Sequence, residues 1–352
     1  MIVVGGEMLV DLVPVPGAGN GSGPAPGGSG ASDAPGGSGA PDAAGPDLRP
    51  HLGGGPFNVA ITAGRQGADV AFLSRLSTDA YGRAGLARLA ESGVDTSLVQ
   101  SGDEPTTLAV TQLAADGSAT FDFHWAGSAD RLVADPGPLE ADVVCLGTCS
   151  LVFEPGATVY ETVLFREADR GRAVALDPNI RPAIIADPAA YRERFRTWLP
   201  HLTVLKLSDA DLTWLYDDPC ADIRRICSDI SAETGCAVIL TEGAGGATAF
   251  TARGEISAAA PQVEVADTIG AGDTVMGTIV TEIDARLGAA GAAANGSGDP
   301  VAHGADGAAA PADVVRSWGP EQWGPILERA VRAAAITVSR PGANPPYASE
   351  LG

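Results

Sequence analysis

Short apolar segments recur along the chain and, from residue 140 onward, alternate with segments of helical spacing such as 158–168. The apolar runs with strand character are 2–4, 8–13, 70–73, 143–147, 173–177, 204–207 and 237–241. Almost purely apolar strands that alternate with helices are typical of a parallel sheet covered on both faces. The pattern therefore predicts an α/β fold: a doubly wound, mostly parallel sheet with helices on both faces.

A second pattern, alternation of apolar and polar residues, marks 106–112 and 119–125. The two runs flank Asp116-Gly117, which is a typical hairpin turn sequence. Together with the strand that contains Asp11, this hairpin predicts a small sheet outside the main one. We expect this lid to be formed by about 8–16 and 104–126.

Two segments lack the apolar residues that a core needs. Residues 17–47 contain only Gly, Ala, Ser, Pro, Asn and Asp, and a second such stretch, 288–312, is interrupted only by Val301 and His303. Such compositions predict disordered or mobile insertions without function of their own. We therefore expect a single domain over 1–352 that carries two low-complexity inserts.

Charge and cysteine content narrow the class of protein. The 352 residues include 22 basic and 44 acidic side chains, a net charge of −22, which argues against nucleic acid or an anionic membrane as partner. No apolar run of about 18 residues indicates a membrane span. The five cysteines are Cys145, Cys149, Cys220, Cys227 and Cys236, without a Cys-x-x-Cys pair. Free thiols in a cytoplasmic protein are the expectation.

Residues 265–274 read as a loop that turns directly into a helix. Gly270, Ala271 and Gly272 allow close approach of a ligand, and the N–H groups of the first helical turn form an anion site. Asp273 then has two interpretations. It is a first-turn acid stabilised by the helix dipole, or it is a base that takes a proton from a hydroxyl while the anion site holds a phosphoryl group.

Polar residues also follow the predicted strands at their carboxyl ends. They are Asp177, Asn179, Arg181, Lys206, Ser208 and Thr241. Ligands of open α/β sheets bind at this edge, so these residues predict a cleft. Asp11, inside an apolar run, is either an outward-facing strand residue or a site residue.

Several motifs resemble those of the ribokinase-like (PfkB) carbohydrate kinases. Residues 267–274, Asp-Thr-Ile-Gly-Ala-Gly-Asp-Thr, resemble the family's C-terminal signature, and 177–181, Asp-Pro-Asn-Ile-Arg, resembles a form common in fructokinase-like members. The resemblance implies ATP-dependent phosphorylation of a primary sugar hydroxyl with Mg²⁺. It makes Asp273 the catalytic base, assigns the anion hole to Gly270, Ala271 and Gly272, and suggests that Arg181 contacts phosphate or sugar.

The same resemblance implies the remaining site residues. The sugar would be bound by Asp11, Gly53, Gly54 and Asn58, the last three matching the family's Gly-Gly-x-x-x-Asn element. The nucleotide would be bound by Ser208, Asp211, Thr241, Gly243, Gly246 and Asn344. Ser208 and Asp211 stand where the family usually has Asn and Glu. Asp267 is the candidate for a monovalent cation such as K⁺, and the lid suggests a homodimer.

Three alternatives remain at this point. The first is another kinase of the family, acting on 2-keto-3-deoxygluconate, ribose or a nucleoside. The second is a non-catalytic sugar- or nucleotide-binding protein, suggested by Ser208 and Asp211. The third is a dinucleotide-binding dehydrogenase, which the absence of Gly-x-Gly-x-x-Gly after the first strand disfavours. A buried carboxylate at Asp11 suits neutral sugar hydroxyls better than an acidic sugar. The resemblance of 177–181 to fructokinase-like members then makes fructose the expected substrate.

Overall fold

The computed structural model describes residues 1–15, 47–113, 119–294 and 309–352. Its strands are β1 (Ile2–Gly5), β2 (Leu9–Pro14), β3 (Leu48–Gly53), β4 (Val70–Ser77), β5 (Val99–Gly102), β6 (Thr107–Leu113), β7 (Ala119–His124), β8 (Val143–Gly147), β9 (Ala173–Asp177), β10 (Val204–Ser208), β11 (Ala237–Thr241), β12 (Ala247–Thr251) and β13 (Gly254–Ala258). Its α-helices are α1 (Gly55–Arg65), α2 (Ala80–Glu91), α3 (Gly156–Asp169), α4 (Pro188–Trp198), α5 (Asp209–Tyr216), α6 (Ile223–Thr234), α7 (Ala271–Ala294), α8 (Pro311–Arg316) and α9 (Pro320–Val338).

Within these residues, nine strands form the main sheet in the order β13-β12-β11-β10-β9-β8-β1-β4-β5. The seven strands from β11 to β5 pair in parallel, whereas β12 and β13 add an antiparallel edge. The central strands are buried on both faces. One apolar cluster includes residues of α1, α7 and α9, and the other includes residues of α3, α4 and α6. The predicted doubly wound α/β fold is confirmed.

The predicted small sheet is present, with one additional strand. In the described residues its order is β3-β2-β6-β7, so β2, β6 and β7 follow the prediction. The fourth strand, β3, pairs antiparallel with β2 and was not anticipated. It contains Pro50 and is largely exposed, as expected of an edge strand without a buried apolar face. The turn at Asp116-Gly117 lies outside the described residues.

The two low-complexity segments lie largely outside the described residues. Part of the second segment, 288–312, belongs to helices, although its composition predicted an insertion throughout. Helix α7 continues to Ala294, and α8 begins at Pro311, so both ends of 288–312 belong to regular elements. Ala is the best helix former, which explains how a segment without large apolar residues extends a helix. No helix among the described residues combines the length and apolar character that crossing a membrane demands. The five cysteines are free, and Cys220 alone among them is exposed.

Candidate active site

Two glycine-containing turns begin the helices α1 and α7 and face each other. Gly54, before α1, has φ 111°, and a Cβ atom there would lie 2.6 Å from the carbonyl oxygen of Glu7. Gly270, before α7, has φ 77°, and its Cβ would lie 2.7 Å from that of Ala343. Only glycine fits such left-handed, crowded positions without strain. The two turns thus bring two helix N-termini to one place, and such N-termini favour the binding of an anion.

Asp273 lies in the first turn of α7 and is 8% exposed. Its Oδ2 accepts a hydrogen bond of 2.8 Å from Nδ2 of Asn58 in α1. Burial raises the pKa of Asp273 to about 6, although the bond from Asn58 acts in the opposite direction. At neutral pH the side chain is therefore still a carboxylate, and its pKa is close enough to neutrality for a general base.

A cavity of about 310 Å³ opens in front of Asp273. Its lining comes from the small sheet, from the segments that follow β1, β8 and β9 of the main sheet, and from the residues at the start of α1 and α7. The lining residues are Glu7, Leu9, Asp11, Gly54, Gly55, Asn58, Thr111, Phe123, Thr148, Cys149, Asn179, Arg181, Thr268, Ile269, Gly270, Gly272 and Asp273. The structure thus brings together most of the residues that the sequence predicts for sugar binding and catalysis. Gly53 lies just behind, where a Cβ would be 2.3 Å from Oδ2 of Asp11.

Asp11 faces this cavity rather than solvent. Burial raises its pKa to about 6, and the positive charge of Arg181 partly offsets that effect. Arg181 itself is exposed, and its Nη1 donates a hydrogen bond of 2.7 Å to Oδ1 of Asn179. The cavity therefore has a guanidinium group in its lining, close enough to Asp11 to influence its charge.

Glu7 is a cavity residue that the sequence analysis did not single out. It is 1% exposed and accepts hydrogen bonds from the Thr148 hydroxyl, from the Ser150 amide at 2.9 Å and from the Gly55 amide at 3.2 Å. Burial raises its pKa to about 7, against the effect of the Thr148 hydrogen bond. Glu7 therefore joins the turn before α1 to the segment after β8. The sequence signal that could have identified Glu7 as a site residue is its position just after the first buried strand, at the edge of the sheet where ligands bind.

A buried ion pair lies beneath the turn before α7. Nζ of Lys206 is 2.6 Å from Oδ2 of Asp177, and both residues are 4% exposed. A Cβ on Gly272 would be 3.1 Å from this Nζ. Burial disfavours the charged amine, but the carboxylate of Asp177 more than compensates and raises the pKa of Lys206. The Lys206 ammonium, paired with Asp177, thus lies directly behind the predicted anion hole.

A second, largely apolar cleft of about 460 Å³ adjoins the other side of the same turn. It shares Thr268 and Gly272 with the first cavity. Its further lining includes three residues predicted to bind nucleotide, Thr241, Gly243 and Gly246, and apolar side chains of α9. The predicted anion hole therefore separates a polar cavity from an apolar cleft of a size that suits a small ligand.

Four other predicted residues have different surroundings. Asn344 lies away from the apolar cleft, where its Oδ1 accepts a hydrogen bond of 2.7 Å from Arg65. Ser208 and Asp211 form a capping box at the start of α5. Neither residue lines the cavity or the cleft. Asp267 accepts hydrogen bonds from the amides of Ile269 and Gly342, so it links the turn before α7 to the C-terminal segment.

Comparison with known proteins places these features in a family. Residues 32–310 match the model of the pfkB family carbohydrate kinases. A fructokinase of Rhizobium leguminosarum bv. trifolii is 35% identical over 229 residues, which are 64% of this chain and 69% of that protein. A probable fructokinase-3 of Arabidopsis thaliana is 29% identical over 80% of this chain and 77% of its own length.

Solved structures share the whole fold. A fructokinase with bound ATP from Xylella fastidiosa superimposes with a TM-score of 0.77 at 24% identity, covering 99% of this chain and 96% of that one. An aminoimidazole riboside kinase from Salmonella enterica superimposes with a TM-score of 0.71 at 19% identity, covering 99% and 97%. At these identities the likeness concerns the fold.

Proposed function

The chain belongs to the pfkB family of carbohydrate kinases, and on that premise we propose that it transfers a phosphoryl group from ATP to a primary hydroxyl of a small neutral sugar, preferably fructose. The observation that carries this proposal is the position of Asp273. It lines the polar cavity, while the turn that precedes it also lines the apolar cleft through Thr268 and Gly272. A sugar in the cavity and a nucleotide in the cleft would meet at this turn.

In the proposed reaction the carboxylate of Asp273 takes the proton of the sugar hydroxyl. The hydroxyl oxygen then forms a bond to the γ-phosphorus, and the bond from that phosphorus to the leaving ADP oxygen breaks. The amides of Gly270, Ala271 and Gly272 hold the charge of the transferring group, supported by the helix dipole and by the Lys206 ammonium behind them. Arg181, on the cavity wall, is placed to contact phosphate oxygens or the sugar.

In the proposed reaction Mg²⁺ would be held mainly by phosphate oxygens and water. No cluster of three or more potential metal-binding side chains exists among the described residues. Such a coordination is common for Mg²⁺ bound with nucleotides, where it neutralises phosphate charge. Asp267 stays the predicted residue for a K⁺ ion, and potassium is named in the structure of a fructokinase double mutant from Vibrio cholerae.

The choice of a neutral sugar rests on charge. Among the described lining residues of the cavity, the charged ones are Glu7, Asp11, Asp273 and Arg181. Three acids against one exposed guanidinium favour hydroxyl groups as ligands and disfavour a carboxylate or phosphate on the sugar. This argues against 2-keto-3-deoxygluconate and sugar phosphates. The fructokinase relatives support fructose among the neutral sugars.

A nucleoside is the second candidate, and Phe123 favours it because an aromatic ring on the cavity wall can stack on a base. The test compares kcat/KM for fructose, ribose, adenosine, 2-keto-3-deoxygluconate and fructose 6-phosphate, with ATP and coupled detection of ADP. Asp273→Asn serves as the control that the turnover belongs to this protein. The fructose assignment is wrong if another acceptor is preferred by about tenfold or more, which corresponds to about 1.4 kcal/mol.

A further inference from the structure

The side chain of Asp211 is committed to three hydrogen bonds inside the protein. Its Oδ2 accepts from the Ser208 amide at 2.8 Å and from the Ser208 hydroxyl at 2.6 Å. Its Oδ1 accepts from the Ile180 amide at 2.7 Å, and the residue is 6% exposed. The first two bonds join Asp211 to Ser208, the N-cap residue of its own helix, whereas the third reaches a different loop, which follows β9.

That loop carries two residues of the polar cavity. Ile180 lies between Asn179 and Arg181, and both of these line the cavity. Asn179 adopts the left-handed conformation, with φ 39°, which is uncommon for a residue other than glycine. Nη1 of Arg181 folds back onto the loop and contacts Oδ1 of Asn179 at 2.7 Å and the carbonyl of Ile180 at 3.1 Å. The backbone of Ile180 therefore determines where both cavity side chains lie.

We infer that Asp211 is a positioning residue, which holds the loop of residues 179–181 against α5 and so sets the place of the Arg181 guanidinium in the cavity. This role rests on the proposed kinase function, because Arg181 matters there for phosphate or sugar. Asp211 acts through the Ile180 amide and does not touch either substrate. It differs from the nucleotide-binding role that the sequence resemblance implies for this position.

The geometry supports positioning over ligand binding. A carboxylate that accepts three internal hydrogen bonds has little capacity left for a metal ion or for water bound to one. Asp211 also lines neither the polar cavity nor the apolar cleft. By contrast, the buried Ile180 amide would lose its acceptor without Asp211, and an unsatisfied buried N–H group is costly.

Hydrogen–deuterium exchange tests the contact without requiring turnover. Asp211→Ala removes both carboxylate oxygens, so the Ile180 amide loses its acceptor. We expect Asp211→Ala to speed exchange at the Ile180 amide. Asp209→Ala, on an exposed neighbour in the same helical turn, should leave that amide unchanged. Equal exchange in both variants would overturn the inference.

The wild-type protein provides a measurement that does not depend on the folding of a variant. At single-residue resolution the Ile180 amide should exchange slowly, although it lies in a loop, and fast exchange there contradicts the contact. Because neither exchange measurement needs a substrate, a failed contact is distinguishable from a failed kinase proposal, which would show as absent sugar phosphorylation.

Kinetics then separate positioning from ligand binding. We expect Asp211→Ala to lower kcat/KM by on the order of 10- to 100-fold, as small misplacements of catalytic groups do. Combined with Arg181→Ala it should cost little beyond Arg181→Ala alone, and the Mg²⁺ concentration for half-maximal rate should stay unchanged. Additive losses together with a raised Mg²⁺ requirement would instead make Asp211 a metal or nucleotide ligand.

Discussion

Asn58 and Asp273 are 215 positions apart in the sequence, and a hydrogen bond of 2.8 Å joins their side chains. Each residue lies in the first turn of its helix, α1 and α7 respectively. The bond therefore connects the two helix N-termini that form the candidate site. It also places a neutral donor on the carboxylate that we propose as the base, which favours its ionised form.

Replacing Asp273 by Asn should nearly abolish turnover and leave nucleotide affinity largely intact. The substitution keeps the size of the side chain but removes its ability to accept a proton. General bases contribute about 10²- to 10⁴-fold, so kcat should fall within that range. Steady-state kinetics and titration calorimetry with ATP provide the two measurements. A rate within a few-fold of the wild type would exclude Asp273 as the base.

The acid side of the pH profile should report the ionisation of Asp273. Because burial raises its pKa to about 6, kcat/KM should decline as the pH falls through that value and the carboxyl becomes protonated. Asn58→Ala removes a donor that stabilises the carboxylate, so the decline should begin at a higher pH. Burial raises the pKa of Glu7 to about 7, so this residue also titrates in the same pH range. Glu7→Gln is therefore the control, and the decline assigned to Asp273 should remain in that variant. A profile that Asn58→Ala does not move would contradict the assignment.

Gly270→Ala should lower both stability and activity, whereas Gly67→Ala should lower stability alone. Both glycines have positive φ, 77° and 85°, and an alanine in this conformation costs about 1–2 kcal/mol. At Gly67 no atom lies within 4 Å of the added Cβ, but at Gly270 the Cβ would meet Ala343. Urea unfolding and kcat are measured for both variants. Equal kcat in the two would show that the turn before α7 tolerates displacement.

Lys206→Met should destabilise the protein by about 3–5 kcal/mol, because it leaves the carboxylate of Asp177 buried without its counter-charge. The matched control is Arg225→Ala, which removes an exposed partner of Asp229 at 3.6 Å and should cost less than about 1 kcal/mol. The free energy of unfolding in urea measures both. Similar losses for the two variants would mean that the buried pair has no special role in stability.

Deleting residues 20–45 should leave the melting temperature and kcat close to those of the full chain. The segment connects β2 to β3, which pair antiparallel, and the Val15 amide donates to the Asp47 carbonyl at 2.9 Å. A shorter loop between paired strand ends costs less entropy to close, so nothing is lost there. A large decrease in melting temperature would show that the deleted residues contribute to folding.

The sequence by itself determined the sheet, the small lid hairpin and the turn before α7. Apolar runs such as 143–147 and 173–177 form strands buried on both faces, because a strand covered by helices on either side excludes polar residues. Hydrophobic period and glycine content are local properties, and local properties can be read along the chain. Strand β3 was not predicted, because its residues are mostly exposed and include Pro50, so it lacks the apolar pattern of a buried strand.

Tertiary structure alone decided which side chains meet. Strand order places β1 between β8 and β4, and this brings Glu7, after β1, against Thr148, after β8. Tertiary packing also makes the side chain of Asp11 face the polar cavity. It places Asn344 against Arg65, away from the apolar cleft. The direction of a side chain depends on long-range packing, which no local pattern contains. For the same reason the bond from Ile180 to Asp211 was not predictable from the Ser-Asp-Ala-Asp sequence.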